Sequence, residues 1–164
     1  MKKIKIPIKL IVVLILLSVE WYYLDRVYKR YIHRFYRKNR RNTNYYNFLL
    51  DWIHMKEEGR ALEEWFKRKS INSIAIYGTG TLGEIVYKEI RSSSVDIICL
   101  IDKNASGQWD GINILGIEEY KKQGFNPDVI LVTAINNYDD ILESNRELAD
   151  KMISVSEILT DMMD

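Results

Sequence analysis

The chain is poor in the residues that most often carry chemistry. It has one cysteine, two histidines and two prolines in 164 residues, and no alanine before Ala61. The lone Cys99 excludes an internal disulfide and any multi-cysteine metal site. It sits in an apolar run and is expected to be a small core residue. His33 and His54 fall on separate predicted helices, so no shared metal or histidine-based catalytic arrangement is expected, and no metal is assigned. The lack of small residues early on argues against a cleaved leader. The first apolar run ends Ser18-Val19-Glu20-Trp21, without the small residues a cleavage site needs. No internal repeat is visible.

Charge is plentiful but unevenly spread. Residues 1–41 hold twelve Lys and Arg against two acids, whereas the remainder holds twelve against 21. The first segment is suited to an anionic surface and the second to solvent. Four lysines precede the uncharged run Leu10–Val19. Extended to Ile4–Leu24, the window is about 31 Å of helix, enough for the ~30 Å hydrocarbon layer. Trp21, Tyr22 and Tyr23 would then sit at the far interface. Residues 1–24 are therefore expected to be an uncleaved membrane anchor, with an interfacial or re-entrant helix and a buried soluble helix as the alternatives. Residues 25–44 follow as a basic juxtamembrane helix, with Tyr28, Tyr31, Ile32 and Phe35 at helical spacing among cations. That pattern suits anionic lipid headgroups better than nucleic acid, given the adjacent apolar run. The heavier basic flank places the main domain in the cytoplasm, at the cell membrane.

Residues 45–70 are predicted to form a helical hairpin, one helix over Tyr45–Glu57 and a second over Ala61–Lys69. Gly59 takes the left-handed cap between them. Residues 71–164 then alternate apolar runs with helical patterns, the signature of a parallel α/β sheet. Four to five strands are expected, with helices on both faces. The most informative stretch is Ile74-Ala75-Ile76-Tyr77-Gly78-Thr79-Gly80-Thr81-Leu82-Gly83. A short buried strand meets three glycines at G-x-G-x-x-G spacing and then a helix. Gly78 allows the sharp turn, Gly80 lets backbone approach a diphosphate, and Gly83 lets the helix pack on the strand. Thr79 and Thr81 add hydroxyls, and the helix start favours an anion. Asp102 ends the next strand, 19 residues after Gly83, where a carboxylate can accept from ribose hydroxyls. Thr133 and Asn136 close the fourth predicted strand at the same edge. These eight residues are the candidate nucleotide-binding set. Tyr77 and Tyr138 are the only candidates near that edge for a proton-relay tyrosine, and neither has a lysine at helical spacing to lower its pKa. Trp109 lies in an exposed-looking polar turn, Asn104–Gly111.

The segments 74–83, 99–104 (Cys-Leu-Ile-Asp-Lys-Asn), 112–116 and 127–134 resemble a small Rossmann-like module. It is similar to the C-terminal domain of sugar C-methyltransferases, to the N-terminal nucleotide-sugar-binding domain of sugar O-acyltransferases, and to domains in bacterial proteins of surface-polysaccharide biosynthesis. The resemblance covers about residues 45–160. It implies binding of a nucleotide-sugar or NAD at Gly78, Gly80, Gly83 and Asp102. It does not carry over catalysis, because the β-helix and methyl-donor domains of those enzymes have no counterpart here. The expectation is a membrane-tethered nucleotide- or nucleotide-sugar-binding domain accessory to surface-polysaccharide biosynthesis, with a homodimer or another biosynthesis protein as partner. The alternatives are an NAD-dependent sugar-nucleotide oxidoreductase or epimerase, and an interaction module whose glycines are purely structural.

Overall fold

A computed structural model describes residues 8–104 and 107–163. The chain divides into two compact units between Thr43 and Asn44. Helix α1 runs from Ile8 to Glu57, 50 residues without a break. The described part of the anchor (8–24), the basic segment and the first helix of the hairpin therefore lie on one helix, and His33 and His54 share it. No proline or glycine falls within it to interrupt the backbone ladder.

The expectation of an N-terminal membrane helix is overturned. Among the described residues, no helix is long and apolar enough to cross a membrane. The reason is charge spacing: the uncharged run Leu10–Val19 lies between Lys9 and Glu20, and ten residues make about 15 Å of helix against a ~30 Å layer. The wider window depended on residues 4–7, which lie outside the described residues.

In the second unit, α1 ends in a Schellman arrangement. Gly59, at φ +73°, donates to Lys56 O, and Arg60 N–H donates to Met55 O, each at 3.0 Å. The left-handed glycine satisfies carbonyls that the helix end would leave open. Helix α2 (Leu62–Arg68) follows, then β1 (Ser73–Tyr77), α3 (Thr81–Ile90) and β2 (Asp96–Ile101). Strands β3 (Gly107–Trp109) and β4 (Ile112–Leu115), helix α4 (Ile117–Gln123) and strand β5 (Val129–Val132) come next. Helix α5 (Tyr138–Ser144), a 3-10 turn, β6 (Met152–Ser154) and α6 (Val155–Met163) complete the chain.

The sheet has six strands in the order β3-β4-β2-β1-β5-β6, so four to five was too few. All neighbours pair in parallel except β3 and β4. That antiparallel hairpin turns on Asp110 (φ +49°) and Gly111 (φ +82°), the two positive dihedrals that a type I′ turn requires. Trp109, expected to be exposed, is half-buried and stacks on Tyr87 at 4.9 Å between ring centroids.

The pleat sends alternate residues of the central strands to two cores. On one face, Ile74, Ile76, Leu100 and Leu131 meet Phe48 and Met55 of α1, Leu62, Trp65 and Phe66 of α2, and the inner faces of α3 and α6. On the other, Ala75, Cys99, Ile101, Ile130 and Val132 meet Tyr120 of α4 and the flank of α5. Burying Leu62 and Phe66 completely stabilises the fold by roughly 1.5–3 kcal/mol each. The helical hairpin is thus a covering layer of the sheet. The result is a mixed α/β unit whose strand order reverses beside β1.

Candidate functional site

The three glycines do different work. Gly78 leaves β1 at φ +106°, and its N–H donates to Ile101 O at 2.8 Å. A Cβ there would lie 2.8 Å from Thr133 Oγ1. Gly83, buried in the first turn of α3, is tighter still: its Cβ would fall 2.0 Å from Gly78 O. Gly80 precedes α3 in extended backbone (φ −70°, ψ −171°), and an added Cβ would meet nothing within 4 Å. Gly78 and Gly83 are therefore packing residues, and Gly80 is the one that opens outward. Thr81, beside it, is also exposed.

Thr133 is 3% exposed at the end of β5. Its hydroxyl is placed to donate to Gly78 O at 2.8 Å and to Tyr77 O at 3.1 Å. The side chain is spent on fastening the turn and does not present itself to a ligand. Asp102 also reaches the turn. Its Oδ2 accepts from the Thr79 amide at 2.8 Å and from the Thr79 hydroxyl at 2.6 Å, while Oδ1 accepts from Asn104 N–H at 2.8 Å. The spacing of Asp102 from the glycines does not announce this latch. One amide of the turn is thereby committed to a carboxylate of the chain itself. An incoming anion is left the start of α3, where the amides of Thr81, Leu82 and Gly83 have no acceptor within the helix. Asn136 lies just past β5 and accepts from Asn44 Nδ2 at 2.9 Å. Asn44, on α1, is a rim residue that sequence reasoning missed; nothing local in 44–57 points toward a loop 92 residues away.

At Gly80 the backbone is open, since an added Cβ would meet nothing within 4 Å. Thr79, Asp102 and Thr133 serve first to shape it. Proton transfer finds little support. Tyr77 has its pKa raised by burial and by the nearby Asp102 carboxylate. Tyr138 is pushed up to about 12, chiefly by burial and then by Glu157. Its hydroxyl is tied to Met152 O at 3.1 Å and Glu157 at 3.3 Å. A relay tyrosine needs the opposite shift, toward the working pH. Cys99 is buried and its thiol is pushed up to about 11 by burial, so it is no nucleophile. Among the described residues, no three His, Cys, Asp or Glu side chains come together to hold a metal.

A groove of about 480 Å³ lies at the other edge of the sheet, where β2 and β4 begin. Tyr87, Arg91, Asp96 and Asp110 line it, with Arg91 and Asp110 paired at 2.8 Å across it. It shares no residue with the glycine turn.

The family described as "C2185-like, N-terminal" matches residues 70–159, which is 90 of the 164 residues and covers β1 through most of α6. No curated protein matches the chain.

Proposed function

We propose, from the premise that this chain belongs to the C2185-like, N-terminal family, that residues 44–164 bind the diphosphate of a nucleotide or nucleotide-sugar at the carboxyl edge of the sheet. One observation carries the reading. Gly80 and the exposed start of α3 lie where the strand order reverses, between β1 with its β2 neighbour and β5 on the other side. In open α/β sheets this crevice is where ligands sit. The anion would rest on the amides of Thr81 and Leu82, helped by the α3 dipole and the Thr81 hydroxyl. Asp102, which holds Thr79 and Asn104 at the turn, would set its negative charge beside the ribose. A carboxylate there disfavours a 2′-phosphate, so NAD is preferred to NADP. The resemblance to polysaccharide-biosynthesis modules makes nucleotide-sugars the first ligands to test and an accessory part in that biosynthesis the expected setting. Nothing in the chemistry of Tyr77 or Tyr138 favours an oxidoreductase or epimerase.

Thermal unfolding of the full chain with NAD, NADP, UDP-sugars and coenzyme A tests the proposal. One nucleotide class should stabilise the globular unit by about 2.7 kcal/mol at a hundredfold excess over its dissociation constant. Gly80→Val should abolish that gain while leaving the unliganded transition in place. Absence of stabilisation by every nucleotide class would falsify the reading and leave a turn whose glycines serve packing alone.

A further inference from the structure

The first unit consists of the α1 segment up to Thr43. A helix is held in water chiefly by burying one face, yet most of the described large apolar side chains of this segment are exposed. They include Leu10 at 49%, Trp21 at 75%, Leu24 at 66% and Tyr31 at 66%.

Their spacing is regular. Leu10, Leu14, Leu17, Trp21, Leu24, Tyr28, Tyr31 and Phe35 follow one another by alternating steps of four and three, eight positions without a charge or a polar amide. Up to Val19 such a stripe is trivial, because nearly every residue is apolar. From Glu20 to Phe35 it is not, because Glu20, Asp25, Arg26, Lys29, Arg30 and Arg34 fall in that stretch and all miss the stripe. With Leu14, Trp21, Tyr28 and Phe35 as heptad position a, and Leu10, Leu17, Leu24 and Tyr31 as d, the cations Arg26, Lys29 and Arg30 take the outward positions f, b and c. Only Glu20 and Arg34 (position g) and Asp25 (position e) flank the seam. A seam of period 3.5 matches another helix of the same period.

We infer that this stripe is the interface of an antiparallel two-helix coiled coil between two copies of the chain. Charge selects the direction. A parallel pair would lay the eight cations between Arg26 and Arg41 beside their own symmetry mates. An antiparallel pair lays seven of them, Lys29 onward, beside the partner's Leu10–Asp25 stretch, where the only charges are acidic, and leaves only Arg26, at an outward position, near its own mate. In the register that sets Leu24 against Tyr28 of the partner subunit, Trp21 faces Tyr31 of the partner subunit and Leu17 faces Phe35 of the partner subunit. Glu20 then flanks Arg34 of the partner subunit, twice by symmetry. Asp25 comes near its own mate and is already neutralised by Lys29 at 2.8 Å. Leu14 meets Lys38 of the partner subunit, whose alkyl stem can cover it. Eight seam side chains at roughly 100 Å² each approach the ~800 Å² per partner of a stable interface. The inference is independent of the nucleotide reading.

The test is the solution mass of the full chain at micromolar concentration, by light scattering and sedimentation equilibrium. The expected mass is that of two chains. Leu24→Glu should yield monomers with the thermal transition of the globular unit retained. Glu20→Arg and Arg34→Glu should each weaken association by about tenfold, and the double swap should restore it to within about threefold. A parallel pair would not be rescued by that swap, because positions 20 and 34 never meet in it. Monomeric wild-type protein, indifference to Leu24→Glu, or a swap that fails to rescue would each overturn the inference. So would a monomer that co-sediments with anionic phospholipid vesicles, which would assign the stripe and its cations to a lipid surface.

Discussion

The division of labour among the glycines can be tested by adding one methyl group at each of two positions. At Gly83 the new Cβ would stand 2.0 Å from Gly78 O, a backbone atom that also receives the Thr133 hydroxyl. Restoring an ordinary contact needs a movement of about 1.2 Å in a turn tied on both sides, and overpacking of this kind costs about 1–3 kcal/mol or more. Alanine returns up to ~1 kcal/mol through helix propensity at this first-turn site. The net expectation is a loss of roughly 2 kcal/mol, and for a unit of this size a fall in Tm of about 6–10 °C. At Gly80, φ is −70° and nothing lies within 4 Å of the added Cβ. Gly80→Ala should therefore stay within about 0.5 kcal/mol of wild type. Urea and thermal unfolding followed by circular dichroism measure both. Equal stability of Gly83→Ala and wild type would refute the packing argument. A Gly80→Ala loss as large as that of Gly83→Ala would refute the claim that the turn is open there, and the nucleotide reading with it.

Three further outcomes are expected. Thr133→Val keeps the shape but removes the hydroxyl placed to donate to Gly78 O and Tyr77 O; Tyr77 O keeps the Thr133 amide, so urea unfolding should show a loss of about 1 kcal/mol, the cost of leaving the part-buried Gly78 carbonyl without this donor. Glu63 has its pKa lowered from 4.5 to about 2, chiefly by the Ser94 hydroxyl and then by Lys67. Its stabilising effect is present above its unfolded pKa and is lost as pH falls from about 4.5 toward 2, so Glu63→Gln should flatten the stability–pH curve in that window. Cys99 should resist thiol-specific reagents in the native chain and react at once in denaturant, since it is buried with its thiol pushed up to about 11; rapid native labelling would show that the second core opens.

Local pattern was enough to place β1, α3, β2 and β5, the Gly59 cap and α2, because strand and helix periods and glycine dihedrals are short-range properties. The β3–β4 hairpin had a local signal too, in Asp110-Gly111, but it was hidden inside a stretch that looked like one polar turn. The anchor was misjudged for the opposite reason: helical propensity continues through the charges at 20–41, whereas membrane crossing depends on how far apart charges stand.

Short-range pattern carries the alternating α/β order, the glycine turn at the end of the first strand, and a first segment rich in cations beside a uniform apolar run. Packing of the whole unit is what brings Asp102 to Thr79 across 23 residues, Thr133 to Gly78 across 55, and Asn44 to Asn136 across 92. These contacts depend on strand order and register, which are settled when the whole sheet packs. A window of ten or twenty residues contains the side chains but not the neighbours that give them their roles.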